Sequence, residues 1–177
     1  MSDQPVLFSD PRVLRIPIRE CGEPLVDVRT IEALRIDSRR ADPAGHSVHI
    51  RLGVVDRLVA AQTQLPAGTH LLIVEGYRPG AIAPHNTGAA VALTLGTVEG
   101  FELWMGTAVN DIATPACHTD SDRIDPEARV NRELLGTAMR SGGFVNHPTE
   151  WWDWSYGDRY WAYVTGAAAA RYGPITR

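Results

Sequence analysis

The chain has 177 residues, 44% of them hydrophobic, enough to bury the core of one domain of ordinary size with no disulfide or structural metal. A formal net charge of −4, a pI near 5.8 and the lack of any arginine run or basic stripe exclude a nucleic-acid binder.

All 17 basic residues are arginine, and with many Ala and Gly this composition suggests a GC-rich, actinobacterial genome. Cys21 and Cys117 have no CxxC spacing, so neither a disulfide scaffold nor a zinc ribbon is expected. Met1–Asp10 is polar and carries no apolar run of the signal-peptide kind. No stretch approaches the length of a membrane span. The expectation is a soluble, cytoplasmic protein forming a single domain over residues 1–177, loose at about 1–20 and 167–177. The sequence leaves self-association open.

In chain order, Val13–Pro17 reads as a short strand. Residues 48–64 carry Val48, Leu52, Val55, Leu58 and Val59 at the spacing of an amphipathic helix. His70–Glu75 is a short apolar run, read as a buried strand, and Gly76–His85 a Pro- and Gly-rich loop. Gly88–Leu95 and Phe101–Met105 read as two more strands joined by a turn at Gly96–Gly100. Residues 107–125 form an irregular loop. A helix then runs to about Arg140, with Asp125 as N-cap, Pro126 at its first position and Gly142-Gly143 as its stop. Glu150–Tyr156 is strand-like, Gly157–Gly166 a short helix or loop, and Ala167–Ala170 the start of a frayed tail. The total is α+β: helices packed on a small, mainly antiparallel sheet.

Three segments carry chemistry: Glu75-Gly76-Tyr77-Arg78-Pro79 after a strand, His85-Asn86-Thr87-Gly88 leading into Ala89–Leu95, and Gly142-Gly143-Phe144 followed by Glu150-Trp151-Trp152-Asp153-Trp154. In this order, with Met105-Gly106-Thr107 and Asn131-Arg132 between them, the chain resembles the D-alanyl-D-alanine dipeptidases of the VanX type over about residues 45–166. The resemblance implies that family's fold and its catalytic zinc, held by His, Asp and His with one position left for water. It also implies a Glu acting as general base and acid on that water, an Arg stabilising the oxyanion, and an Asp receiving the substrate ammonium.

Carried over position by position, the first His falls on His85, the Glu on Glu150 and the Arg on Arg78. The ligand Asp falls on Ala92, which has no donor atom, and the second His on Asp153. The ammonium-binding Asp falls on Asn110, beside Asp111. Tyr77 and Trp152 join Asn110 as candidate substrate-binding residues. A metal held by His85 and Asp153 alone has two protein ligands where catalytic zinc normally has three, so no cofactor is expected. His147 or His118 is the replacement ligand if zinc is kept. Asp153 could equally be a ligand, an acid–base group or a partner for Arg78 or His85. Of Trp151, Trp152 and Trp154, at least one belongs to the core. Cys117-His118 reads as an exposed loop pair, and Asp120, Asp122 and Asp125 fail the pattern of a calcium loop.

These substitutions leave three readings. The first is a metal-independent acid–base enzyme using Glu150, Arg78, His85 and Asp153 for cyclisation, elimination or isomerisation of a small peptide-like or carboxylate metabolite, at home in natural-product biosynthesis. The second is a zinc dipeptidase with a substitute ligand. The third is a non-catalytic ligand-binding pseudoenzyme. None involves nucleic acid or a membrane.

Overall fold

A computed structural model describes residues 5–40, 42–80 and 84–176. The elements are α1 (Pro11–Leu14), β1 (Leu25–Asp27), β2 (Arg35–Ile36), β3 (His49–Arg51), α2 (Leu52–Gln62), β4 (Thr69–Glu75), β5 (Ala90–Thr97), α3 (Pro126–Ser141), β6 (Val145–His147), β7 (Glu150–Ser155) and α4 (Arg159–Thr165), with single 3-10 turns at Val28–Thr30, Ser38–Arg40, His85–Thr87 and Pro115–Cys117. Residues 81–83 of the Gly76–His85 loop and residues 1–4 of the N-terminal segment lie outside the described residues.

The main sheet has the order β2-β4-β5-β7-β6, and β1 pairs with β3 in a separate two-stranded ribbon. Only the β2–β4 pairing is parallel. The architecture is therefore α+β with a mainly antiparallel sheet. β5 is buried from Ala90 to Gly96, because both of its faces are covered. Such a strand reads as a continuous apolar run rather than an alternating one. α2 turns Val54, Val55, Leu58 and Ala61 inward, the three-and-four spacing of one helical face. α3 buries Leu135, Ala138 and Met139. Trp151, Trp152 and Trp154 are all buried, at 1–2% exposure. An interior strand covered on both sides accepts large side chains of either parity, so all three belong to the core.

Several local expectations give way to tertiary contacts. Val13–Pro17 is not a strand: Asp10 accepts the Arg12 amide at 2.8 Å, and Pro11 starts α1. The expected helix over 48–64 begins only at Leu52, because His49–Arg51 pairs with Leu25–Asp27. Arg51 adds side-chain bonds to the carbonyls of Thr87 and Glu23 at 2.9 and 2.6 Å. Phe101–Met105 closes the expected turn through Leu103 N–H to Leu95 O at 2.8 Å, but it makes only an isolated bridge at Glu102. Trp104 then leaves the sheet, its indole N–H donating to Asp125 at 2.6 Å. Ala167–Ala170 is not frayed: Ala170 bridges Ile18, and Tyr172 beyond it is buried, its hydroxyl donating to Glu23 at 2.8 Å.

α3 starts and stops where its sequence signals stand. Asp125 accepts the Ala128 amide at 2.9 Å, and Gly142 follows the last helical residue. Its Arg132 ties down the long loop before it, donating to the carbonyls of Met105, Ala116 and His118 at 2.7 Å each. Arg132→Met would leave these acceptors without a donor. It is expected to destabilise the fold by about 3 kcal/mol, read as a lower urea midpoint, with Arg132→Lys recovering little because the planar fork is lost.

Candidate functional site

Two glycines bring the loop and turn to the sheet. A Cβ on Gly76 would lie 2.7 Å from the His49 carbonyl and 2.6 Å from Ile50, so only glycine lets the end of β4 pass this close to β3. The amides of Gly76 and Tyr77 are fixed there by the carbonyls of Ser47 and His49, at 2.7 and 2.8 Å. Gly88, at φ +68°, ends the His85–Thr87 turn in the left-handed region, where a Cβ would meet Leu25 at 2.5 Å. The turn presents His85 inward at 3% exposure.

Both ring nitrogens of His85 face acceptors. Nδ1 lies 2.8 Å from the Gly76 carbonyl, and Nε2 lies 3.4 Å from Asp153 Oδ1. The Gly76 contact is a hydrogen bond, while the Asp153 contact is an ion pair only when the ring is protonated. Burial alone would lower the His85 pKa, but Asp153 and Glu75 outweigh it and the net shift is upward. Glu150, three residues before Asp153 on β7, is half-buried. Its carboxyl is pushed up to about 7 by burial and by the neighbouring Asp153 charge, with His85 pulling the other way. Asp158, fully enclosed at the N-cap of α4, is raised by burial to about 6 and also feels His85. One buried imidazole thus sits among Asp153, Glu75, Glu150 and Asp158.

Strand register sets the centre of the site. Ala92 of β5 is paired with Glu75 of β4 on one side and with Asp153 of β7 on the other. A methyl therefore stands in a cross-strand row between two carboxylate-bearing residues. Arg78 lies at the rim, its side chain 55% exposed and its Nε 3.2 Å from Glu75 Oε1. Tyr77 is buried, and with Glu75, Arg78, Asp42, His46 and Ser47 it lines a surface hollow.

The structure brings together His85, Glu150 and Asp153, places Trp152 beside Glu150, and couples Arg78 to the group through Glu75. Asn110 is not brought in: it sits exposed on a turn at φ +67° and makes no side-chain hydrogen bond among the described residues. Neither replacement ligand joins. His147 is stacked on Phe8 at 4.0 Å and its Nδ1 meets Thr149 Oγ1 at 3.0 Å; burial lowers its pKa to about 4. His118 is exposed. Cys117 is buried rather than an exposed loop residue, and burial raises its pKa. Glu75 and Asp158 are the site residues that sequence reasoning passed over. Glu75 stood in the quoted motif, but its place opposite residue 92 is a matter of register. Asp158 carried an N-cap signal before a short helix and none for its enclosure.

Whether these residues suit a zinc ion can be judged from their donors. Two ligands about 2.1 Å from a tetrahedral ion stand about 3.4 Å apart, which is the His85–Asp153 separation. Ala92, where the family resemblance puts a further ligand, is paired in register with Asp153 but has no donor atom, and no group of three His, Cys, Asp or Glu that could hold a metal exists among the described residues. The donor set does not fit a three-ligand catalytic zinc. No helix of the described residues is long and apolar enough to cross a membrane.

Residues 74–166 match the family described as D-ala-D-ala dipeptidase, a span that holds Glu75, Arg78, His85, Ala92, Glu150, Asp153 and Asp158. A D-alanyl-D-alanine dipeptidase of Synechocystis is 26% identical, with 85% of this chain and 88% of that protein aligned. A D-alanyl-D-alanine dipeptidase of Escherichia coli is 37% identical over 68 residues, which are 38% of this chain and 35% of that protein.

The Glu150 shift gives a signed expectation. A carboxyl harder to ionise in the folded than in the unfolded chain makes stability fall as pH rises from its ordinary 4.5 to about 7, and stay level above. Glu150→Gln should remove this slope and raise stability above pH 7 by about 1–2 kcal/mol after solvent screening, measured by denaturant unfolding across pH. Asp153→Asn should move the Glu150 midpoint down toward the ordinary carboxylate range, read by carbon NMR titration.

Proposed function

Since the chain belongs to the D-Ala-D-Ala dipeptidase family, we propose that it is an acid–base enzyme built on that scaffold which works without a bound metal, on a small peptide-like or carboxylate metabolite. The observation that carries the reading is Ala92: a methyl stands between Glu75 and Asp153 where the family resemblance puts a zinc ligand. Around it the proton-handling groups are kept. Glu150, ionising at about 7, is present in both forms at neutral pH, the condition that favours a group serving as base and then as acid. It takes a proton from one atom of the substrate and returns it to another, as cyclisation, elimination or isomerisation requires. The buried His85 imidazolium supplies fixed positive charge where negative charge develops, and Asp153 and the Gly76 carbonyl hold it in place. Arg78, half-exposed at the rim, is placed to receive a carboxylate. The surrounding carboxylates favour an ammonium at the opposite end of the substrate. A specialised biosynthetic pathway suits such a reaction.

A zinc dipeptidase reading draws on the 3.4 Å spacing of His85 and Asp153. The two separate on metal content and exchange chemistry. Protein purified in metal-free buffer is expected to carry far less than one zinc per chain by elemental analysis. Ala92→Asp, which restores an oxygen at that position, should carry close to one. In the presence of chelator, the wild-type protein should catalyse solvent-deuterium exchange into dipeptides followed by NMR, and Glu150→Gln should lose this by at least about a hundredfold. Zinc-dependent release of alanine from D-Ala-D-Ala by the wild-type protein would overturn the proposal. Exchange that is absent from the wild type would leave a binding protein instead.

A further inference from the structure

An unassigned groove lies on α3, walled on the β7 side by Trp151 and Trp154. It has a volume of about 270 Å³ and runs between the helix and residues 119–124. That is just below the range of pockets for drug-sized ligands, and suits a compact ion. Arg129, Arg132, Gly136 and Arg140 line it, and at 100° per residue these four fall within one face of the helix.

No carboxylate pairs with the positive charge of Arg129, Arg132 and Arg140 on this face among the described residues, although Glu133 and Asp120 also border the groove. Arg132 is only 8% exposed. Its three bonded nitrogens are satisfied by backbone carbonyls and its guanidinium lies 5.3 Å from the Trp151 ring centroid, but no carboxylate neutralises it. Burial, together with the like charge of Arg129, lowers its pKa to about 10. A buried cation next to a second cation is costly unless an anion comes to it. Gly136 lets the third arginine in. A Cβ at that position would stand 2.9 Å and 3.0 Å from the two terminal nitrogens of Arg140, so the guanidinium lies over the bare glycine. A glycine inside an α-helix destabilises it relative to alanine, and here the space it opens is filled by a charged group facing the groove.

We propose that this groove is a binding site for a small multiply charged anion, with phosphate or carboxylate groups held between the forks of Arg129 and Arg140 and drawn by the buried charge of Arg132. Arginine forks match either group with paired hydrogen bonds. The site is on α3 and shares no residue with the His85 cluster, so it stands apart from the acid–base reading.

Pyrophosphate and citrate, titrated at constant ionic strength, distinguish the two anion sources. Saturable binding by calorimetry is expected for at least one of them, weakened about tenfold or more in Arg129→Gln/Arg140→Gln. Gly136→Ala supplies the sharper test: it should raise the unfolding temperature while weakening the anion, because the new methyl displaces Arg140. Heat or stabilisation that follows only total salt would overturn the proposal. So would unchanged affinity in the double variant, or in Gly136→Ala that has gained stability.

Discussion

The pairing of β5 with β7 is the constraint on which the site rests. It sets Ala92 opposite Asp153, while the β4–β5 pairing sets Glu75 on its other side. A slip of one residue would turn every side chain of β5 to the other face, and continuous burial of that strand on both sides resists such a slip. The register therefore presents a row of carboxylate, methyl and carboxylate, and the turn capped by Gly88 lowers His85 onto its β7 end.

From that arrangement the electrostatics follow. His85 is enclosed, which opposes its charge, but it is surrounded by acids, which favour it, and the acids win. Glu150 experiences the reverse: enclosed beside another carboxylate, it holds its proton to about 7. Both groups are thus shifted upward, the imidazole toward its charged form and the carboxyl toward its neutral form, and such perturbed neighbours are common where protons are moved. The rim is different in character. Arg78 and Glu75 meet in a half-exposed pair, and exposed pairs contribute little to stability, so the fold does not depend on their pairing.

The elements with strong local signals were legible from the residues. α3 announced itself through Asp125, Pro126 and Gly142, and the apolar runs of β4 and β5 marked the centre of the sheet. The two- and three-residue strands were not, since β1, β2, β3 and β6 are too short to show a period and exist through their partners. Phe101–Met105 had strand composition, but Trp104 found Asp125 instead. In the site, the motif residues His85, Glu150 and Asp153 came together as their order implied. Glu75 escaped notice because only strand pairing reveals which residue stands beside position 92. Asn110 aligned with a binding role, yet its turn holds it in solvent.

Ala92 is almost completely enclosed, at 1% exposure. A carboxylate at that depth would have to draw a counter-ion into the interior to be tolerated, and the folded state would then depend on the cell's supply of that ion. A methyl asks for none. On the proposed metal-free reading, folding of this protein is expected to be insensitive to chelators and to metal starvation. That would set it apart from proteins whose interiors close around a cation.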